Sequence, residues 1–157
     1  MINCSFYKSP IGYIKIKAEN EYITEVSFVK ENIDIKGDKK CSRVIEKCKN
    51  QLEEYFLGER NTFDLKIKFL KGTDFQMRVW NELKDIPYGE TVSYKYIAEK
   101  INNPNAVRAV GGANNKNPIS IIIPCHRVIG ANGKMVGYAE GIDKKEFLLN
   151  LEKNNKR

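Results

Sequence analysis

The only histidine of the chain directly follows a cysteine, as Cys125-His126. A histidine titrates near neutral pH and is therefore a suitable partner for converting a thiol into a nucleophilic thiolate. Three isoleucines at 121–123 and then Pro124 predict that the pair follows a buried, extended strand. Neighbouring side chains of an extended segment point to opposite sides, so a bridging water or a sharp turn at the cysteine would have to carry the proton. A buried structural cysteine beside a surface histidine is the alternative interpretation.

Composition and charge limit the possible classes of protein. The 157 residues suffice for one or two small domains with a hydrophobic core. Lys and Arg exceed Asp and Glu by 27 to 20, and a net charge of +7 favours a polyanionic partner such as DNA or RNA, although a lysine-rich surface that aids solubility gives the same excess. The first residues contain no signal-peptide core, and no apolar run is long enough to span a membrane, so we expect a cytoplasmic protein.

The four cysteines do not have the spacing of a metal site. None of them forms a C-x-x-C pair, and one histidine leaves few ligands for zinc, so the sequence predicts no metal. Cys4, Cys41 and Cys48 are expected to be small buried residues of a reduced, intracellular protein.

The first half of the chain has the pattern of a small α/β domain. Residues 2–8, 11–18 and 23–29 are rich in strand-forming residues and predict an antiparallel meander. Residues 40–57 predict an amphipathic helix that ends at Gly58, and residues 63–69 predict a further strand. No set of residues in this half could carry out catalysis, so we expect its role to be structural.

The second half predicts helices. Thr73 and Gln76 have the spacing of a capping box at the start of one helix, and Ser93 can cap a second. Asn103-Pro104 predicts the start of a third, and Asp143 with Glu146 predicts the start of a C-terminal helix. The second and third helices have helix-turn-helix spacing.

The third helix has an unusual surface for a DNA-reading helix. Its residues at 106, 109, 111 and 112 are small, and Arg108 is the only long polar side chain among them. A helix that reads the major groove carries several side chains able to bond base edges. Small residues suit close approach to a minor groove, or equally the packing of one helix on another.

Three motifs resemble one family. Pro-Cys-His-Arg-Val at 124–128, Pro-Tyr-Gly-Glu-Thr-Val-Ser-Tyr at 87–94 and Ala-Val-Arg-Ala-Val-Gly at 106–111 are similar to those of O6-alkylguanine-DNA alkyltransferases, also called methylated-DNA–protein-cysteine methyltransferases. The resemblance covers residues 75–152. It implies an N-terminal α/β domain over residues 1–70, a small antiparallel sheet with a helix. A mostly α-helical C-terminal domain over residues 71–157 would contain the helix-turn-helix and transfer the alkyl group.

The resemblance implies a reaction on O6-alkylguanine, mainly O6-methylguanine, that has been flipped out of duplex DNA. Cys125 would accept the alkyl group permanently, so the protein would act once. His126 would deprotonate Cys125 through a water, and Glu152 would orient the imidazole. Tyr94 would help to rotate the nucleotide and would protonate N3 of guanine. Asn117 would hold the helix-turn-helix against the active-site segment.

The resemblance also implies which residues contact the nucleic acid. Arg108 would enter the duplex and fill the space of the flipped base. The minor-groove contact would be lined by Ala106, Val107, Ala109 and Gly111, with Tyr94. Tyr138 and Ala139 would belong to the loop that closes the pocket, and the carbonyls of Cys125 and Val128 would bind the guanine amine. The implied partner is double-stranded DNA carrying O6-alkylguanine, bound by a monomer without a cofactor and without a membrane.

Two positions differ from many members of this family, and two other functions remain possible. Ala139 replaces a serine or arginine, and the acidic Glu140 would face the lesion, where it could weaken DNA binding or bias which alkyl groups fit. A cysteine hydrolase built on Cys125 and His126 would need an oxyanion hole, which the sequence does not indicate. A protein that senses lesions without repairing them is the second alternative, although related binding-only proteins replace the nucleophile with tryptophan.

Overall fold

The computed structural model describes residues 2–30, 42–135 and 137–156. The chain divides into two compact units, Met1–Leu70 and Lys71–Arg157. The first contains a three-stranded antiparallel sheet with a helix, and the second is mostly helical.

The sheet of the first unit is the predicted meander. Strands β1 (Ile2–Ser9), β2 (Gly12–Glu19) and β3 (Tyr22–Phe28) lie in the order β1-β2-β3, each antiparallel to the next. Side chains of a strand alternate between its two faces, so every second residue of β2 is directed to the core. Those residues are Ile14, Ile16 and Ala18, all fully buried.

The helix of the first unit, α1 (Arg43–Phe56), packs on this sheet. Ser42 caps it by accepting a hydrogen bond from the backbone N–H of Ile45. Its buried apolar residues are Ile45, Cys48, Leu52, Tyr55 and Phe56, as an amphipathic helix requires. The prediction began the helix at residue 40, and residues 40 and 41 lie outside the described residues. Gly58, with a φ of 77°, follows the last turn as predicted.

The predicted strand at 63–69 is wrong. This segment forms only a single bridge to the sheet, between Ile23 and Ile67. Residue Gln51 of α1 satisfies the backbone of Asp64 instead: its Nε2 donates to the carbonyl oxygen at 3.1 Å, and its Oε1 accepts from the N–H at 2.9 Å. The segment thus bonds the sheet only through Ile23, and a side-chain amide is the partner of its backbone at Asp64, which no local pattern indicates.

The second unit opens with the predicted capped helices. Helix α2 (Asp74–Leu83) begins after a complete capping box of Thr73 and Gln76. A short strand, β4 (Val92–Ser93), leads into α3 (Tyr94–Lys100), and the side chain of Ser93 caps that helix. These starts were predictable because a cap is a local signal.

The third predicted helix starts later than the sequence suggested. Helix α4 (Val107–Asn115) does not begin at Asn103-Pro104, because the N–H of Ala106 bonds the carbonyl of Asn103 and closes a separate turn. Helix α4 packs against α2 and α3. The pair α3 and α4, joined by a short turn, has the predicted helix-turn-helix arrangement.

The isoleucine run, buried at Ile121 and Ile123 and half-buried at Ile122, is not a strand. Ile121 has a φ of 70°, a backbone conformation that is rare for a β-branched residue. The N–H of Ile123 bonds the carbonyl of Ile119 at 3.0 Å, so residues 119–123 form a tight turn. A 3₁₀ turn, Cys125–Arg127, follows and leads into β5 (Val128–Ile129), which pairs in parallel with β4.

The last element is helix α5 (Ile142–Asn155). Asp143 lies in its first turn as predicted, but no side chain caps it, and Gly141 precedes it with a φ of 110°. Within the described ranges, no helix is long and apolar enough to cross a membrane.

Candidate active site

Cys125 is the first residue of the 3₁₀ turn and is only 4% exposed. The sequence predicted extended backbone here and allowed a sharp turn at the cysteine as one way to bring the histidine close. The structure has that turn: the N–H of Cys125 donates to Ile123 at 2.8 Å, and the N–H of Val128 donates to the carbonyl of Cys125.

The environment of the Cys125 thiol keeps it protonated at neutral pH. Burial raises the pKa of the thiol to about 11, because the charged thiolate is poorly solvated inside the protein. Hydrogen bonds from Asn117 and Tyr138 and the positive charge of Lys145 lower this pKa, whereas the negative charge of Glu140 raises it. A base is therefore needed to generate the thiolate.

His126 and Glu152 form a buried pair. Nε2 of His126 lies 2.6 Å from Oε2 of Glu152, and both side chains are fully buried. Burial lowers the pKa of His126 below 6.5 and outweighs the opposing effect of Glu152, so the imidazole is neutral at pH 7. Because the carboxylate can only accept, Nε2 carries the proton and Nδ1 is the acceptor. Nδ1 has no hydrogen-bond partner in the described part of the chain.

Glu152 is held by more groups than the sequence indicated. Arg127 donates to it from Nε at 2.8 Å and from Nη2 at 3.0 Å, and the N–H of Gly89 donates at 3.1 Å. Burial alone would raise the pKa of Glu152, but His126 and Arg127 together hold it well below its usual range. Helix α5 thus presents an ionised carboxylate to the imidazole.

Arg127 and Gly89 were not predicted as site residues. Arg127 is buried, and its Nη1 also donates to the carbonyl of Ile86 at 2.7 Å. Its place in the Pro-Cys-His-Arg-Val motif was the available signal. Gly89 has a φ of 79°, a conformation that favours glycine and that directs its N–H to Glu152.

Two asparagines connect the end of α4 to the active-site segment. Asn117, the predicted residue, donates to the carbonyls of Ile123 at 2.8 Å and Ile119 at 3.3 Å, and it accepts from the N–H of Ile119. The buried Asn114, which the sequence did not single out, donates to the carbonyl of Cys125 at 3.2 Å. Asn114 therefore makes the direct bond between the helix and the cysteine.

Tyr94 lies between α4 and the active-site cysteine. Its hydroxyl donates to the carbonyl of Gly137 at 3.3 Å, and its ring packs beside Gly111. Burial raises the pKa of Tyr94, and the charge of a Cys125 thiolate raises it further. Tyr94 is therefore protonated at neutral pH and can act as a donor.

Lys145 is a further buried group that the sequence did not indicate. It is fully buried on α5, its Nζ donates to the carbonyl of Val128 at 2.6 Å, and it lies 5.9 Å from the centre of the Tyr94 ring.

The Val128 carbonyl keeps a second lone pair, as the prediction that it binds a guanine amine requires. The Cys125 carbonyl already accepts from Asn114 and Val128, so the same role is harder to fulfil there.

The loop before α5 contains the remaining predicted pocket residues. Tyr138 is buried and Ala139 is exposed. The carboxylate of Glu140 accepts a hydrogen bond from the hydroxyl of the buried Ser120.

Apart from Tyr94, the predicted DNA-contacting residues lie at or near the start of α4. Val107, Arg108 and Ala109 are exposed on the first turn of α4, and Ala106 and Gly111 are half-buried. Across the described residues, no cluster of three or more His, Cys, Asp or Glu could hold a metal ion.

Comparison with known proteins finds a family model for each of the two units. Residues 2–69 match the ribonuclease-like domain of 6-O-methylguanine DNA methyltransferase, and residues 74–154 match its DNA binding domain. A methylated-DNA–protein-cysteine methyltransferase of Methanosarcina acetivorans is 51% identical over 151 residues, which are 94% of this chain and 96% of that protein.

Solved structures give the same result. The crystal structure of the Mycobacterium tuberculosis O6-methylguanine methyltransferase has a TM-score of 0.89 at 42% identity and covers 100% of this chain and 96% of its own. The structure of M. tuberculosis OGT in complex with DNA has a TM-score of 0.88 at 44% identity and covers 98% of this chain and 94% of its own. The chain therefore belongs to the 6-O-methylguanine DNA methyltransferase family.

Proposed function

We propose that this protein repairs DNA by transferring the alkyl group of O6-alkylguanine, mainly O6-methylguanine, to Cys125 in a single turnover. The observation that carries the proposal is a buried thiol in the same turn as a neutral imidazole, which a buried ionised carboxylate orients. The names of the relatives support the same reaction. A nucleophilic thiol also requires a reducing compartment, in agreement with the expected cytoplasmic location.

The proton of the thiol would pass to His126. Nδ1 of His126 is the acceptor nitrogen, and a water between it and Sγ of Cys125 would carry the proton. The ionised Glu152 stabilises the imidazolium that forms, and Arg127 keeps Glu152 ionised. Asn117, Tyr138 and Lys145 would stabilise the thiolate, since each lowers the pKa of Cys125.

The thiolate would then attack the alkyl carbon. A bond forms between Sγ and that carbon, the bond between carbon and O6 breaks, and its electron pair remains on guanine. Tyr94 would donate a proton to N3 of guanine, which improves the leaving group. The product is a thioether on Cys125. Nothing in the site would cleave a thioether, so each molecule acts once.

The alkyl group on O6 lies inside the duplex, so the nucleotide must leave the base stack. We propose that α4 lies along the minor groove, that Arg108 fills the vacated space, and that a monomer suffices. The small exposed residues of α4 would permit close approach to the groove without reading the base sequence. Damage occurs in any sequence, so this lack of sequence reading suits repair.

Replacing Arg108 tests the flipping role. We expect Arg108→Ala to reduce transfer from duplex DNA by about tenfold or more and to leave transfer from free O6-benzylguanine nearly unchanged, because a free base needs no flipping. Single-turnover rates on the two substrates measure this, with the exposed Lys153→Ala on α5 as the control. Equal losses on both substrates would refute the assignment.

The reaction itself is tested by mass spectrometry. The protein is mixed with a duplex that contains one O6-methylguanine, and its intact mass and peptides are measured. We expect one added methyl group on Cys125, saturating at one per protein, and none with Cys125→Ala, which should still bind DNA. An unchanged mass with tight binding of the lesion would instead indicate a sensor, and steady turnover of an ester or amide would indicate a hydrolase.

A further inference from the structure

The carboxylate of Glu140 acts by its charge on the thiol of Cys125. Residues 138–141 form a tight turn, closed by the N–H of Gly141 and the carbonyl of Tyr138 at 3.0 Å. Tyr138, at the start of this turn, is buried and lowers the pKa of the Cys125 thiol. Glu140, two residues later, is half-buried, and its charge acts on the same thiol.

Ser120 fixes the direction of this carboxylate. Its hydroxyl, 2% exposed, donates to Oε1 of Glu140. Ser120 belongs to the tight turn 119–123, in which it forms a β-bridge with Ile123. The carbonyl of Ile123 accepts a hydrogen bond from the N–H of Cys125. The carboxylate is thus attached to the backbone segment that also positions the nucleophile. An exposed loop glutamate without such a partner would be free to turn toward solvent.

The charges around the thiol are balanced only while Glu140 is present. Among the described residues, Glu140 and Lys145 are the charged groups that shift the pKa of Cys125, with opposite signs, while Asn117, Tyr138 and Tyr94 are neutral neighbours. The more distant Glu152 and Arg127 form their own ion pair, and His126 is neutral. Removal of Glu140 would leave the ammonium of Lys145 as the dominant charge at the thiol.

We propose that Glu140 selects among lesions by charge, so that the pocket disfavours O6 adducts carrying a negative group and favours those carrying a positive one. This inference rests on the proposed alkyl transfer to Cys125. A methyl group is uncharged and is unaffected by the selection. A carboxymethyl group brought to Cys125 would place its carboxylate near that of Glu140, whereas an aminoethyl group would place an ammonium there. Like charges repel and opposite charges attract strongly where water is largely excluded.

The test compares three duplexes of one sequence that contain O6-methylguanine, O6-carboxymethylguanine or O6-(2-aminoethyl)guanine. Single-turnover rates of transfer to Cys125 are measured for the wild type, for Glu140→Gln and for Glu146→Gln. The amide oxygen introduced by Glu140→Gln can still accept the bond from Ser120, so the substitution removes mainly the charge. Glu146 is exposed on α5 and provides a matched loss of one negative charge in the same unit.

We expect Glu140→Gln to raise the carboxymethyl rate relative to the methyl rate by about tenfold and to lower the aminoethyl rate relative to it by a similar factor. Taking each rate relative to methyl removes any general change in DNA affinity. Glu146→Gln should change neither ratio. A loss of packing alone would shift both ratios in the same direction, so opposite shifts identify a charge effect.

Other outcomes separate the two proposals. Normal methyl transfer with both ratios unchanged in Glu140→Gln would overturn charge selection and leave the repair function intact. Shifts of the same size in Glu146→Gln would overturn it as well, because the effect would then be a general one of protein charge. Failure of the wild type to transfer any of the three groups to Cys125 would overturn the proposed function and this inference with it.

Discussion

At the scale of single residues, Cys125 and His126 have pKa values that are displaced in opposite directions, and this determines how the reaction depends on pH. Burial raises the pKa of Cys125 to about 11 and lowers that of His126 below 6.5. A reaction in which neutral His126 removes the proton needs the neutral imidazole and the protonated thiol together. Both forms predominate between these two values.

We therefore expect the single-turnover rate of methyl transfer to rise with pH only below about 6.5, where His126 loses its proton, and to be flat through the neutral range. Rates measured between about pH 5.5 and 9 check this, at constant ionic strength. If instead free thiolate were the reactant, its fraction would grow tenfold for each pH unit up to a pKa near 11. A rate that followed that slope through neutrality would contradict general-base catalysis by His126.

Glu152 has two roles, one toward His126 and one toward Arg127, and two measurements on a single variant can separate them. Glu152→Gln keeps the size of the side chain but removes the charge that stabilises the imidazolium and balances Arg127. We expect transfer to fall by about 100-fold or more. We also expect the free energy of unfolding to fall by about 3 kcal/mol, because a buried guanidinium loses its counter-charge.

Single-turnover rates and denaturant titrations measure the two effects of Glu152→Gln, with rates taken where the variant is fully folded. Glu146→Gln, an exposed change on the same helix, is the control for both. A variant that is destabilised yet transfers at the wild-type rate would show that Glu152 acts on Arg127 alone and not through His126.

The sequence predicted part of this site and missed the rest for a physical reason. Cys125 and His126 were predicted from the Pro-Cys-His-Arg-Val motif, and Glu152 was predicted from the resemblance to a family. Arg127 and Lys145 were missed because arginine and lysine are usually exposed. Their burial depends on carbonyls of Ile86 and Val128 that lie far away along the chain.

At the scale of elements, helix α4 joins the predicted DNA surface to the nucleophile. Its first turn exposes Arg108, and its last residues bond the active-site segment through Asn114 and the adjoining Asn117. Helix α2 supports it as well, since Nε1 of Trp80 donates to the carbonyl of Ala113 at 2.8 Å. The cysteine is thus positioned by the same helix that we expect to contact DNA.

We expect Asn114→Ala to lower the free energy of unfolding by about 1–3 kcal/mol, because it removes a buried hydrogen bond. Transfer from duplex DNA should fall more than transfer from free O6-benzylguanine, because only the duplex reaction needs the thiol to be correctly positioned relative to α4. Denaturation and single-turnover rates on both substrates test this, with the exposed Asn150→Ala as control. Equal rates with the wild type on both substrates would show that the bond has no part in positioning Cys125.

Elements with local signals were predicted well, and elements set by distant contacts were not. The capping box at Thr73, the Ser93 cap and the alternation of β2 all lie within a few residues of chain. The segments 63–69 and 121–123 have strand-like composition. The side chain of Gln51 bonds the backbone of Asp64 in the first segment, and the bond from Ile123 to Ile119 bends the second. Strand propensity states only that a residue fits a half-buried surface, and it does not supply a pairing partner.

At the scale of the whole molecule, the two units differ in how protonation affects them. In residues 71–157 the buried His126 and Glu152 both have lowered pKa values. Among the described residues of the first unit, the shifted groups are Tyr7 and Cys48, whose pKa values are raised, that of Cys48 to about 12. A raised pKa in the folded state stabilises at lower pH and loses that contribution only in alkali.

Acid should therefore destabilise the second unit first. The pKa of His126 in the folded protein lies below its unfolded value of 6.5. Between the two pKa values the unfolded chain binds more protons than the folded one, so the free energy of unfolding falls as the pH drops through about 6.5. Glu152 adds a further loss of stability below about pH 4.5, where the unfolded carboxyl takes up a proton that the folded one resists.

Hydrogen exchange at pH 7 and pH 5, corrected for the intrinsic pH dependence of exchange, measures this loss of stability. We expect residues 119–129 and 142–155 to lose protection at pH 5, while residues 2–19 keep theirs, since the shifted groups near the sheet respond only to alkali. If the sheet lost protection at a higher pH than the active-site turn did, that result would contradict the assignment of His126 as a buried neutral base.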